Sequence, residues 1–161
     1  MDWKNLFLSA DGRIGKKEFW IGWVILFAAS IVLGMIPLIG QIASIALIYP
    51  SVCVFSKRLH DFGKSGWLAA VPYVAFVVGG IVAFMIGGAG IFAAAMSGQG
   101  GNDPAAAAAA MTGMGGAVAI FGLIFLFCIA YTLWVGLSNS DPGENRYGPA
   151  PADGQVGAPV L

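Results

Sequence analysis

The sequence predicts an all-α integral membrane protein, a four-helix transmembrane bundle with both termini in the cytoplasm. Of its 161 residues, 58% are hydrophobic and only 10% are charged, whereas about 25% of the residues of an ordinary soluble domain are charged. No charged residue lies between Glu18 and Lys57, between Lys64 and Asp103, or between Asp103 and Asp141. Each gap is longer than the roughly 20 apolar residues that cross a bilayer as a helix. The net charge of zero gives no reason to expect a nucleic-acid partner.

The first charge-free gap is predicted to hold two short helices. They are joined by "IPLIGQ" at 36–41, which contains the turn-forming residues proline and glycine. Lysine and arginine collect on the cytoplasmic side of membrane proteins. Two spans in this gap place all eight Lys and Arg residues on one side, whereas a single span would separate them. We also expect Pro50 to interrupt the second helix, because proline has no N–H to bond the carbonyl of Ala46.

The second and third gaps are each predicted to form one helix. They are connected by "SGQGGNDP" at 97–104, a Gly- and Asn-rich turn that ends in proline. The six alanines at 105–110 should extend the fourth helix, since alanine has the highest helix propensity. The first apolar run is too long for the core of a cleavable signal peptide, which has about 7–15 residues. The prediction is one membrane domain over 1–148, with spans at about 18–36, 40–57, 67–95 and 108–137, and a flexible C-terminal tail over 149–161.

Small residues recur every four positions along the third helix. Helices in lipid associate by close packing, which small side chains permit. We expect this stripe either to pack against small residues of the fourth helix or to form the face of a homodimer. The stripe comprises Ala75, Gly79, Ala83 and Gly87, widened by Gly80 and Gly88, and the fourth helix offers Gly113, Ala117, Gly122 and Ala130.

The sequence offers no catalytic, metal or cofactor motif. The single histidine excludes motifs that need two, such as HExxH. Both cysteines lie in apolar runs, where buried thiols act as small hydrophobes. No Asp, Glu, Lys, Arg or His lies deep in a predicted span, which argues against a charge-coupled transporter. We therefore expect a protein that is not an enzyme, with no cofactor and no metal.

Three polar segments, at 11–20, 56–67 and 141–151, are expected to meet on the cytoplasmic face of the membrane as a polar cap. The second segment contains "KRLHD", in which Arg58 and Asp61 have the spacing that lets side chains meet on a helix. The candidate cap or headgroup residues are Arg13, Glu18, Lys57, Arg58, His60, Asp61, Lys64 and Arg146.

Two interpretations of the cap follow from these residues. In the first, it is a clamp in which Arg58 or Asp61 bonds to charged side chains of the first or third segment. In the second, it is a pocket for an anionic lipid headgroup or phosphate, because basic side chains at this level attract anionic lipid. That pocket would be built from Arg13, Lys57, Arg58 and Lys64. A third possibility is that His60 beside Asp61 forms an acid–base pair.

The three segments resemble a known family. "GRIGKKEFW", "KRLHDFGKSGW" and "GENRYGPAP", in this order with apolar runs between them, are similar to the bacterial inner-membrane family called domain of unknown function 805. The resemblance implies a small multi-helix protein of the bacterial plasma membrane, and it implies no established activity. This chain differs from the family pattern in its long Gly/Ala-rich third and fourth helices and in the turn between them.

Together these features predict a multi-pass protein of the bacterial inner membrane whose polar cytoplasmic cap engages lipid headgroups or a partner protein. The expected partners are membrane lipids and a second copy or another membrane protein, and not nucleic acid. The alternative is a small oligomeric channel or transporter lined by the small-residue stripe.

Overall fold

The computed structural model describes residues 2–96 and 104–151. The regular structure of these residues is entirely helical, apart from one isolated antiparallel bridge between Asn145 and Gly148. The elements are α1 (Trp3–Leu8), α2 (Lys16–Gly34), α3 (Ile39–Ala46), α4 (Ile48–Asp61), a 3₁₀ helix (Gly66–Ala70), α5 (Val71–Met96) and α6 (Pro104–Leu137). The all-α prediction is therefore confirmed for this part of the chain. The predicted turn at 97–103 and the tail at 152–161 lie outside the described residues.

Four helical stretches are long and apolar enough to cross a membrane, as predicted. They are Lys16–Gly34, Gly40–Asp61, Gly66–Met96 and Pro104–Leu137. The six alanines belong to the first turns of α6. The placement of both termini in the cytoplasm stays a prediction.

The second of these stretches is interrupted at Leu47, between α3 and α4. The break lies one helical turn before Pro50, where the missing N–H of proline leaves the ladder incomplete. The amide of Leu47 bonds to the carbonyl of Ser44 at 3.1 Å, a tighter turn than that of an α-helix. The hydroxyl of Ser51 donates to the carbonyl of Leu47 at 2.7 Å, so a side chain helps to satisfy the backbone around the break.

The chain divides into two units, and the first comprises Met1–Ala70 and Thr132–Leu161. Its core includes the buried side chains of Leu6, Phe19 and Val54, from α1, α2 and α4. Gly22 on α2 permits this contact, since a Cβ atom there would lie 3.4 Å from Val54 and 3.5 Å from Leu6. This packing brings the chain around residue 13 close to the C-terminal end of α4.

The second unit, Val71–Tyr131, consists of α5 and most of α6. The two helices approach closely where glycines face each other. A Cβ atom on Gly90 would lie 2.6 Å from the backbone oxygen of Ala109 and 3.1 Å from the Cα atom of Gly113. A Cβ atom on Gly87 would lie 3.4 Å from that of Ala117. The predicted intramolecular packing of the stripe is therefore confirmed.

The residues expected to widen this stripe do not take part in the contact. A Cβ atom added to Gly80 or Gly88 would meet nothing within 4 Å, and the same is true of Gly122, which was expected to face the stripe from α6. The packed face and the open face of α5 thus both carry glycine, and the homodimer alternative stays a prediction for the open one.

Candidate functional site

The carboxylate of Asp61, the last residue of α4, lies at the centre of the candidate site and is fully buried. Its Oδ1 atom accepts from Nε and Nη2 of Arg13 at 3.2 and 3.1 Å. Its Oδ2 atom accepts from Nη1 of Arg58 and from the hydroxyl of Ser140. We call Arg13, Arg58, Asp61 and Ser140 the central cluster. The prediction that Asp61 bonds to a charged side chain of another polar segment is confirmed for the first segment, at Arg13, whereas Ser140 is uncharged and lies one residue before the third segment.

Arg58 is also fully buried, one turn before Asp61 on α4. Besides the carboxylate, its guanidinium donates to the carbonyl of Val135 at 3.2 Å and to that of Ser138. It also donates to the hydroxyl of Ser140 at 3.2 Å. Because the last carbonyls of a helix lack intrahelical partners, Arg58 both neutralises Asp61 and caps the C-terminal end of α6.

Arg13 lies before α2, and only 1% of its side chain is exposed. Its Nη1 atom donates to the carbonyls of Gly143 and Gly148, at 2.7 and 3.1 Å. Its Nη2 atom donates to the carbonyl of Asp141 at 2.7 Å and to the backbone oxygen of Asp61 at 3.1 Å. One guanidinium therefore joins the first polar segment to the end of α4 and to the chain after α6.

The segment at 141–148, which we call the C-terminal segment, is held by further bonds to the end of α4. The amide of Asp141 donates to the carbonyl of Asp61 at 2.9 Å. The side-chain amide of Asn145 donates to the carbonyl of His60 at 3.0 Å and to the Asp141 carboxylate at 2.9 Å. The ring of Tyr147 stacks on that of His60, with centroids 3.8 Å apart. These contacts and the central cluster together form the polar cap of the structure.

His60 and Asp61 do not act on each other in this arrangement. The Nδ1 atom of His60 lies 3.2 Å from the carbonyl oxygen of Gly12, while the Asp61 side chain contacts the two arginines and Ser140. Neighbouring residues on a helix point about 100° apart, which places the two side chains in different surroundings. The structure therefore offers no geometry for the acid–base pair considered above.

Lys57 has a different role from that of the two arginines. It is only 1% exposed, and its Nζ atom donates to the backbone oxygen and, at 2.8 Å, to the side-chain oxygen of Asn5. The hydroxyl of Tyr49 donates to the carbonyl of Leu8 at 2.9 Å, and Leu6 is buried between these points. Two side chains of α4 thus hold α1, whose Trp3 remains half exposed.

The remaining candidate residues lie at the edge of the cap. Lys64 is exposed. Arg146 is exposed as well, donates to the carbonyl of Gly63 at 3.3 Å and lies over the ring of Tyr147 at 4.7 Å. Glu18 is half buried and, among the described residues, makes no hydrogen bond or ion pair. Together with Asp2 it belongs to a polar pocket of about 230 Å³ whose other lining residues are Asn5, Leu6, Arg13 and Ile14.

The structure thus separates the four basic residues that were predicted to form a headgroup pocket. Arg13 and Arg58 share Asp61, Lys57 binds Asn5, and Lys64 faces outward. In the described part of the chain, every buried side-chain nitrogen and oxygen has a hydrogen-bond partner. No group of three His, Cys, Asp or Glu side chains is gathered there to hold a metal ion. The geometry of the central cluster is that of a clamp.

Some residues that bind the predicted site residues were not singled out from the sequence. They are Asn5, which binds Lys57, and Ser138 and Ser140, which bind Arg58. The run "SNSD" at 138–141, directly after a long apolar helix, was the feature that could have indicated capping of α6. Tyr147 stacks on His60 and Asn5 binds Lys57. Both contacts join distant parts of the chain, so local sequence does not indicate them.

Comparison with known proteins finds a matching family and two relatives. A family model described as "Protein of unknown function (DUF805)" matches residues 7–103, a range that includes Arg13, Arg58 and Asp61. "Uncharacterized protein YiiR" of Escherichia coli strain K12 is 39% identical over 77 residues, which cover 44% of this chain and 53% of the relative. The protein of the same name from strain O157:H7 matches equally well. The chain thus spans about half the length of the curated relatives it matches. No solved structure matches.

Proposed function

The chain belongs to the DUF805 family of proteins of unknown function, and we propose that it is a non-enzymatic, multi-pass protein of the bacterial inner membrane whose polar cap engages lipid headgroups on the cytoplasmic side. The four helices are long and apolar enough to cross a membrane, which supports a multi-pass protein. The relatives in Escherichia coli support a bacterial setting.

The observation that carries this proposal is the closed interior of the cap. Buried charges are costly unless they are paired and hydrogen bonded. Here the Asp61 carboxylate meets two guanidiniums and a hydroxyl, and the donors of both arginines reach carbonyl or carboxylate oxygens. Such a cluster joins chain segments and offers no vacant group to a substrate. Ligand contact is therefore expected at the edge of the cap, on a surface that the cluster keeps in shape.

The exposed residues at this edge favour lipid. Trp3 is 50% exposed and Trp67 is 87% exposed, and indole rings prefer the level of the headgroups. Lys4 and Lys64 are exposed close to these two residues in the sequence. Each such basic side chain attracts an anionic membrane surface by about 1 kcal/mol. An exposed indole ring beside a basic side chain is a combination that suits the headgroup level of a phospholipid membrane.

Lipid retention tests the proposal. The protein is reconstituted in nanodiscs that contain both anionic and zwitterionic phospholipid, released into the mass spectrometer, and scored for bound lipid. Lys4→Gln combined with Lys64→Gln should reduce retention of anionic lipid. Glu144→Gln, an exposed change of the opposite sign, should not reduce it.

Equal retention by the double variant and the unmodified chain would contradict lipid binding at this edge. A photoreactive residue at Trp67 gives a second readout in cells. Cross-linking to phospholipid supports the proposal, and cross-linking to one defined protein would instead favour the partner-protein function.

The alternative of an oligomeric channel or transporter receives less support. The second unit has a groove of about 510 Å³ between α5 and α6, lined by Gly80, Ala83, Phe84, Gly87, Gly88, Ile91, Met114, Ala117, Val118 and Phe121. A path for ions or polar solutes needs polar groups that replace the hydration shell of the transported species. The lining of this groove provides no such side chain, so we propose headgroup binding first.

A further inference from the structure

We propose that the C-terminal segment is a releasable strap, whose carbonyl oxygens occupy a site on Arg13 for the phosphate of an anionic phospholipid. The inference rests on the proposed function, because it adds a regulated headgroup site to the contact at the edge of the cap. In the structure the segment is docked and this site is closed. The site opens when the segment leaves the cap.

Arg13 divides its hydrogen bonds between two kinds of partner. Its Nε and Nη2 atoms donate to the carboxylate of Asp61 at 3.2 and 3.1 Å. Its Nη1 atom donates only to the C-terminal segment, at the carbonyls of Gly143 and Gly148. A third carbonyl of the segment, that of Asp141, accepts from Nη2 at 2.7 Å. When the segment leaves, Asp61 still fixes the guanidinium, while the Nη1 donors are open to a ligand.

The charge of the central cluster suits an anion. The cluster holds two guanidiniums and one carboxylate, so it has one positive charge in excess. The C-terminal segment has a net charge of −1, from Asp141, Glu144 and Arg146, and its departure leaves the site more positive. A phosphate matches a guanidinium in charge and in the geometry of two parallel hydrogen bonds, whereas each carbonyl supplies one neutral acceptor.

The position of the cluster favours a lipid as the source of the phosphate. Arg13 comes shortly before Lys16, where the first candidate membrane span begins, and Asp61 ends the second. The fourth ends at Leu137, next to Ser138, whose carbonyl accepts from Arg58. The cluster thus lies where three helices able to cross a membrane begin or end. Basic residues at such ends attract anionic headgroups.

The C-terminal segment is held by polar contacts and one ring stack. None of the residues 141–148 is buried. Asn145 donates to the carbonyl of His60, and Tyr147 stacks on the ring of His60. Segments with few buried apolar contacts open at a lower free energy than core helices. A phosphate that binds Arg13 only after the segment leaves shifts the population to the released state.

Hydrogen exchange of the C-terminal segment tests this competition without any substitution. The unmodified full chain is reconstituted in nanodiscs of phosphatidylglycerol or of phosphatidylcholine with the same acyl chains. Exchange of the amides within 141–148 is then followed by mass spectrometry. The amide of Asp141, which donates to the carbonyl of Asp61, reports release directly. Phosphatidylglycerol should speed this exchange by about fivefold or more, because coupling between two binding events is reciprocal.

Three variants separate the segment from the site. Asn145→Ala combined with Tyr147→Ala removes contacts of the segment and leaves the central cluster intact, so exchange should be faster in both lipids and retention of phosphatidylglycerol should increase. Pro149→Ala, an exposed change just after the segment, is the control and should alter neither. Arg13→Lys keeps the charge but loses the planar fork, and it should remove the effect of phosphatidylglycerol on exchange.

Each outcome decides between specific statements. Equal or slower exchange in phosphatidylglycerol refutes this inference, and it leaves the proposed function intact when the lipid is still retained. Absence of any bound phospholipid refutes both. An unchanged lipid effect in Arg13→Lys refutes the site on Arg13.

The source of the phosphate is decided with glycerol phosphate, added at millimolar concentration to the unmodified chain in phosphatidylcholine nanodiscs. Unchanged exchange within 141–148 supports a lipid site. Exchange as fast as in phosphatidylglycerol would show a site for a soluble phosphate and overturn the assignment to lipid.

Discussion

Replacing Asp61 by asparagine is expected to destabilise the protein strongly. The substitution keeps the shape of the side chain and removes the charge that neutralises two buried guanidiniums, of which Arg13 is 1% exposed and Arg58 fully buried. An asparagine amide would also point an N–H₂ group at one of these donors. Breaking a buried ion pair by removing one partner costs about 3–5 kcal/mol.

The matched control is Lys64→Gln, a neutralisation three residues further along the chain. Lys64 is exposed, and surface substitutions of this kind change the free energy of unfolding by no more than about 0.5 kcal/mol. Thermal unfolding in detergent, followed by tryptophan fluorescence, compares the two variants. Trp134 is a suitable reporter because it packs edge to face on Phe62, at 5.6 Å, in the same unit as the cluster.

For a chain of this length, a loss of 3 kcal/mol or more corresponds to a fall in Tm of about 6 °C or more. A double-mutant cycle with Arg13→Gln and Asp61→Asn should show that the two losses are not additive, with a coupling energy of about 0.5–3 kcal/mol. Small and equal changes in Tm for Asp61→Asn and Lys64→Gln would show that the segment is a tolerant loop and would refute the clamp.

Three further experiments test the membrane helices. Gly90→Ala should lower Tm, because the added Cβ atom would lie 2.6 Å from a backbone oxygen of α6. Gly88→Ala is the control and should leave Tm unchanged, because its Cβ atom would meet nothing within 4 Å. Equal effects of the two substitutions would contradict the observed packing. Gly79→Leu should be destabilising by about 1–3 kcal/mol through overpacking against α6, and its neighbour Gly80→Leu should be tolerated in the same unfolding assay. Reporter fusions at both ends should report the cytoplasm and a fusion within 97–104 the opposite side, and a cytoplasmic result for the latter would show that the number of spans is wrong.

The sequence was sufficient to predict that the chain is helical and has four stretches able to cross a membrane. Long charge-free runs can satisfy their backbone in a bilayer only as helices or closed barrels. The distribution of lysine and arginine favoured two spans in the first run, and the structure contains four helices that are long and apolar enough to cross a membrane. Pro50 predicted the interruption of the second span, since its missing N–H acts within one helical turn. Each of these conclusions depends on residues that are close together in the chain.

The sequence also predicted that three polar segments meet, and it identified Arg13, Arg58 and Asp61 as candidates for the contact. It did not determine which basic residue takes which partner. Lys57 and Arg58 are neighbours in the chain, yet Lys57 binds Asn5 of α1, while Arg58 binds Asp61 and caps α6. Adjacent positions on a helix differ in direction by about 100°, so the partner depends on which element packs against each side.

The difference in direction between adjacent helix positions also explains why neighbouring glycines of α5 have different surroundings. Gly79 and Gly80 are equivalent in composition and propensity, but only a Cβ atom on Gly79 would meet Ile124 of α6. Local sequence decides that a segment is a helix and which residues it presents around its circumference. The tertiary structure decides which face is buried, because close approach, shared hydrogen bonds and the neutralisation of buried charge arise only when residues far apart in the chain are brought together.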